Sequence, residues 1–201
     1  YSGRLLALDI QGNDGAATYK VDATTRGQIK AFSVSESEAR EATELGDGYN
    51  INSGVIGLTS STESGVLYFK NNESRRFIIE AIAVGIGSAG TTSDMSIVKV
   101  IKNPSLGTLI SGATDVDMNT NRSFGSSNAL AASLAYKGAE GSTVTDGEDL
   151  AIFFQSAGGR LFAGIALELN PGNSVAITVD TQTTAGTTNV YAAIVGHLKA
   201  E

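Results

Sequence analysis

Oxygen-bearing side chains recur at every second position in Asp115-Val116-Asp117-Met118-Asn119-Thr120-Asn121, the opening rhythm of a calcium-binding loop. A complete loop of that type has Gly sixth and Glu twelfth, and here those places hold Thr120 and Ser126. The run therefore reads as an Asx-rich turn or an edge strand. Asp146, Glu148 and Asp149 gather just before an apolar run. Paired carboxylates serve glycoside hydrolysis when the fold sets their separation, and a glycosidase on these acids is the enzymatic alternative. A solvated turn is the simpler reading.

His197 is the only histidine. A Ser-His-Asp system needs it held between a nucleophile and an acid, and no Gly-x-Ser-x-Gly elbow is present. It falls in a terminal strand, on the side of Tyr191, Ala193 and Val195, and reads as a packed or interface histidine. Gly85-Ile86-Gly87-Ser88-Ala89-Gly90 follows a strand as a phosphate loop would, but it lacks the loop's Lys and leads into another strand. It reads as a Gly-rich hairpin. Asn72-Glu73-Ser74 and Asn121-Arg122-Ser123 match the glycosylation pattern at the rate chance allows. Arg75-Arg76 reads as a solvated pair or a contact for an acidic partner. No catalytic, cofactor-binding or metal-ligating residue is assigned from these patterns.

The elements that must position these residues are β-strands. Short β-branched and aromatic runs span Ile51–Thr59, Gly65–Lys70, Arg75–Ile86, Ser96–Lys102, Leu150–Gln155, Arg160–Leu169, Val175–Asp180 and Thr188–Lys199. Weaker runs lie at Thr18–Asp22 and Gln28–Ser35. The turn Asn71-Asn72-Glu73-Ser74 suggests a hairpin between its two flanking strands. Both faces of Arg75–Ile86 are largely apolar, which places that strand centrally in a sheet. Turns at intervals of about 8–12 residues argue an antiparallel sandwich or barrel. Two segments are ambiguous. Residues 35–48 carry five acids and one Arg, and read as a short helix capped by Ser35 or as an extended linker. Residues 128–137 fit a strand somewhat better than a helix.

The expected fold class is thus all-β: an antiparallel, jelly-roll-like β-sandwich over residues 49–201, preceded by an extended N-terminal arm and linker over residues 1–48. With 201 residues the chain is long enough for a full core without staples. It has no Cys, so a disulfide framework and thiolate chemistry are excluded. A net charge of -7 without a basic stripe disfavours nucleic acid as a partner. The longest apolar run, Ile78–Ile86, is broken by Glu80 and falls short of the ~18 residues of a membrane-spanning helix. The N-terminal residues do not read as a secretion signal. Charged residues are only 17%, and Ala, Gly and Thr are abundant, which fits a surface in close contact with other protein and equally an ordinary secreted β domain.

Seven segments in order carry a family resemblance: F-S-V-S-E-S-E-A-R-E-A from Phe32, Y-N-I-N-S-G from Tyr49, V-L-Y-F-K-N-N-E from Val66, N-R-S-F-G-S-S from Asn121, Y-K-G-A-E-G from Tyr136, F-F-Q-S-A-G-G-R-L-F from Phe153 and N-V-Y-A-A-I-V-G-H-L from Asn189. In these the chain resembles structural proteins of tailed, often marine, bacteriophages. The resemblance implies a non-enzymatic virion component, a capsid decoration or cement protein located in the virion. Its partners would be the major capsid protein or other virion proteins, and sister subunits in a homo-oligomer such as a trimer. The alternative is a tail or head fibre module that binds host glycan or protein.

Overall fold

The computed structural model describes residues 21–23, 29–31, 37–88, 90–105, 114–118 and 120–200. The chain divides into two compact units, residues 1–37 and 38–201. In the first, β1 (Val21–Ala23) pairs antiparallel with β2 (Ile29–Ala31). These strands overlap the two weak runs read near the N-terminus; the remaining residues of those runs lie outside the described residues.

The second unit opens with a helix, α1 (Glu38–Glu44), so residues 38–48 belong with the sandwich rather than with an arm. Glu38 and Glu41 sit in its first turn, where the helix dipole favours negative charge. Asp47 N–H bonds back to Ala42 O and Gly46 N–H to Thr43 O, which closes the last turn. The helix buries Ala42 and packs on the strands containing residues 48–52 and 188–198. Of the two readings of this acidic segment, the helix is the one formed; the proposed cap Ser35 lies outside the described residues.

The strands that follow are β3 (Gly48–Asn52), β4 (Ile56–Leu58), β5 (Ser64–Lys70), β6 (Phe77–Ile86), β7 (Thr91–Thr92), β8 (Ser96–Lys102), β9 (Thr114–Asp115), β10 (Leu134–Lys137), β11 (Glu148–Gln155), β12 (Arg160–Leu169), β13 (Ser174–Asp180), β14 (Thr183–Ala185) and β15 (Thr188–Leu198). One sheet runs β11-β8-β13-β5-β10-β9. The other runs β12-β6-β15-β3, with β4 also on β15, and β7 pairs separately with β14. Every strand pairing is antiparallel.

Among the described residues eight strands have five residues or more: β3, β5, β6, β8, β11, β12, β13 and β15. Numbered one to eight in that order, they form sheets 1-8-3-6 and 2-7-4-5. That is the double Greek key of a jelly roll. Its core lies between the sheets, with Phe69 of β5 tilted against Phe77 of β6 at 4.9 Å between ring centroids. Ile51, Ile79, Ile82, Val98, Val100 and Ile177 are fully buried around them. Each such side chain contributes about 1.5–3 kcal/mol by leaving water. A second cluster covers the outside of the first sheet, where Tyr68 and Ile101 pack with Tyr136 and Val144. That cover is why β5 buries both of its faces.

The jelly-roll path changes two expectations. β5 and β6 are not a hairpin: they lie in different sheets, and the turn at residues 71–74 is a sheet-to-sheet corner. The glycine-rich stretch after β6 is a crossing as well, since β6 and β8 belong to opposite sheets. Asn71 organises the first corner. It is fully buried, and its Nδ2 donates to Leu169 O and to Arg75 O, while Oδ1 accepts from Glu73 N–H. The expected strand Ile51–Thr59 is also interrupted. Gly54 takes φ +67°, its N–H bonds to Asn52 Oδ1, and the two halves become β3 and β4 on the same neighbour, β15. In residues 128–137 only Leu134–Lys137 is strand; Leu130 is buried in the core without regular structure. β6 does sit centrally, between β12 and β15.

Candidate interaction surface

β11 and β12 are the outermost strands at one end of each sheet, and the short turn at residues 156–159 joins them on one flank. Both alternate. Ala151, Phe153, Leu161, Ile165 and Leu167 turn inward and are half-buried against the core. The outward positions are also apolar, with Leu150, Ile152 and Phe154 exposed on β11, and Phe162, at 70%, on β12. An edge strand carries a row of unpaired backbone donors and acceptors. Apolar side chains beside such a row mark a surface suited to another protein. Phe124, fully exposed in the loop at residues 121–128, is a further apolar projection.

On the outside of the second sheet a polar cluster lies beneath α1. The ladder between β6 and β15 shifts there: Val195 faces Ala81 and Gly196 faces Ile79. Glu80 is the extra residue of this bulge. Its carboxylate accepts two bonds from Arg122, at 2.7 and 2.9 Å, and one from His197 Nδ1 at 2.7 Å. Burial acts to raise the Glu80 carboxyl, but hydrogen bonds and charges from Arg122 and His197 outweigh it and hold it below the ordinary carboxylate value. His197 is 3% exposed, and its Nε2 has no hydrogen-bond partner while facing Glu38 of α1 at 3.8 Å. Arg122 N–H bonds to Gly48 O, and Asn121 bridges to Tyr49, so this loop is strapped along β3. The cluster joins helix, loop and two strands into one support.

The other candidate residues are dispersed. Asp115 lies on β9 opposite Tyr136, and Asp117 O accepts from Thr120 Oγ1. Asp146 accepts from Ser105 Oγ in the turn before β11, Glu148 lies 3.8 Å from Lys102, and Asp149 is exposed on the edge. No group of three His or acidic residues gathers to hold a metal among the described residues. Arg75 and Arg76 are both ion-paired: half-buried Arg75 pairs with Asp47 at 2.8 Å and donates to Lys199 O, and Arg76, which stays exposed, pairs with Glu168. Of the two sequons, Asn121 commits its amide nitrogen to Gly46 O and Asn128 O, whereas Asn72 is exposed.

Sequence reasoning missed the Glu80–Arg122 pair because its members are far apart in the chain and carry no motif. Above the turn at residues 156–159, Tyr191, Asn189 and Arg160 line a shallow groove of about 290 Å³. Gly85 forms its floor; a Cβ there would fall inside the ring of Tyr191. No helix among the described residues is long and apolar enough to cross a membrane. Comparison with known proteins finds no matching family model and no matching curated protein.

Proposed function

We propose that this chain is a non-enzymatic structural protein of a bacteriophage virion, a decoration or cement protein that packs against the head lattice and against sister subunits. The observation that carries this reading is the flank of β11 and β12, two open sheet edges lined by Leu150, Ile152, Phe154 and Phe162. Jelly rolls recur in viral coats. The ordered resemblance of segments from Phe32 to Leu198 supports the same reading. The partners are then the major capsid protein and copies of this chain, and the location is the virion. Quantitative proteomics of purified virions tests it, with copy counting against the major capsid protein. A copy number comparable to the lattice subunit is expected; a few copies at a tail tip overturn the decoration role.

The groove under Tyr191 favours a second reading, a fibre module for host glycan. Sugar faces stack on aromatic rings, and Tyr191 with Asn189 and Arg160 offers one ring and polar neighbours. Glycan-array binding by the isolated chain, lost in Tyr191→Ala, is the outcome that supports it.

A further inference from the structure

We propose that β12 is a two-fold dimerisation edge: it pairs antiparallel with β12 of a second copy about Gly164, merging the two β6-containing sheets into one. The inference rests on the adhesive reading above, but it concerns the protein in solution and needs no particle.

Among the described residues β12 pairs on one side only, with β6, in a ladder that shifts register between Gly164 and Leu167. Its exposure alternates without a break from Arg160 to Glu168. An antiparallel two-fold at Gly164 keeps inward residues opposite inward residues and outward opposite outward. It sets Arg160 opposite Glu168 of the second copy, and Phe162 opposite Ala166. Arg160 is exposed and has no ion pair among the described residues. Glu168 binds Arg76, which leaves its second carboxylate oxygen for another guanidinium. Arg160 and a matching carboxylate thus stand at equal distances from the pivot, on the same face.

The apolar positions agree with this register. Phe162 is 70% exposed, and it meets only the small, exposed Ala166 across the seam. Nothing lies within 4 Å of where a Gly164 Cβ would stand, so the pivot leaves open space beside the two rings. On the inner side Leu161 comes opposite Leu167, and Ala163 opposite Ile165, which carries the core across the interface. Moving the pivot to residue 163 or 165 keeps the faces but sets Arg160 against Ala166 or Asn170. Charge therefore selects the register at Gly164. A strand pair alone falls below the ~1,200 Å² of a stable interface, and exposed Ile152 and Phe154 of β11 on the same flank supply further area.

Sedimentation equilibrium of the purified chain across about 1–100 μM tests the proposal, with thermal unfolding of each variant as the folding control. Twice the chain mass is expected for the wild type. R160E and E168R each set like charges opposite one another, and each alone should weaken the dimer by about tenfold or more. Mixed together they restore both cross pairs, so an R160E–E168R heterodimer is expected to recover most of that loss. F162K should also give monomers that still unfold in one cooperative transition. A wild type that is monomeric throughout overturns the inference, as does a dimer indifferent to R160E, E168R and F162K. A monomer that still coats virions overturns this inference and leaves the adhesive reading standing; a dimer absent from purified virions does the reverse.

Discussion

Asn71 donates from Nδ2 to the carbonyl oxygen of Leu169 at 2.9 Å, and so ties the corner after β5 to the last residue of β12. The backbones join there too: Asn71 N–H bonds to Asn173 O, and Gly172 N–H to Asn71 O. Two sheet-to-sheet crossings are thereby stitched together by one fully buried side chain. Asn71→Ala leaves the carbonyls of Leu169 and Arg75 and the N–H of Glu73 without these partners. Each buried group stripped in this way costs about 1–3 kcal/mol. Urea denaturation is expected to show a loss of about 2–5 kcal/mol, and Asn71→Asp, which sets a buried carboxylate oxygen against two carbonyl oxygens, should lose at least as much.

Removing Glu80 strands two cationic or polar partners under α1. Glu80→Ala leaves the Arg122 guanidinium and His197 Nδ1 without their carboxylate in a partly buried site. The expected loss is about 2–4 kcal/mol, somewhat below the cost of breaking a fully buried pair. Arg122→Lys keeps the charge but loses the two-pronged geometry, and should cost less than Glu80→Ala. Equilibrium unfolding of the two variants checks the order.

Tyr191 lies across Gly85 on the neighbouring strand. Gly85→Ala forces the ring aside, for an expected loss of about 1–3 kcal/mol. Tyr191→Ala vacates the space, so the double variant should lose less than the sum of the two single variants. A double-mutant cycle by thermal unfolding measures the coupling.

Stability is expected to fall sooner at alkaline than at neutral pH, and for stated groups. Burial, reinforced by Asp47 and Glu73, pushes the Tyr49 hydroxyl up from 10.0 to about 12. Burial also raises Tyr68, and the Glu63 hydrogen bond raises Lys99. For a group raised on folding, its share of stability is whole below its ordinary value and is lost as pH rises through the folded one. Glu80 works in the opposite sense. Its carboxyl is lowered, so its share is whole above the ordinary carboxylate value near 4.5 and is lost as pH falls through the folded one. Chemical denaturation from pH 3 to about pH 12 should show a plateau with losses at both ends. Tyr49→Phe is expected to reduce the alkaline limb and leave the acid limb unchanged.

The strands were legible because their signal is local. Alternation and turn residues mark Ser96–Lys102, Arg160–Leu169 and Val175–Asp180 almost to the residue, and β13 begins one residue early, at Ser174. The doubly apolar β6 also declared its central place. Pairing was less legible. A short turn after Lys70 looks the same whether the chain folds back beside itself or crosses to the other sheet. Only the packing of Phe77 against Phe69, with Asn71 bonded to Leu169, separates the two cases.

The surface divides the same way. Leu150, Ile152, Phe154 and Phe162 read in sequence as ordinary strand residues, and it is the end position of β11 and β12 that turns their outward faces to solvent. Glu80 could not be picked out, because a bulge is a mismatch between two strands and neither strand carries it alone. By itself the sequence determined an all-β chain without the Cys or clustered His of common metal and thiol chemistry, since composition and period are properties of the chain. The tertiary structure alone decided which strands are edges and which distant charges meet, since those depend on neighbours that a linear chain does not specify.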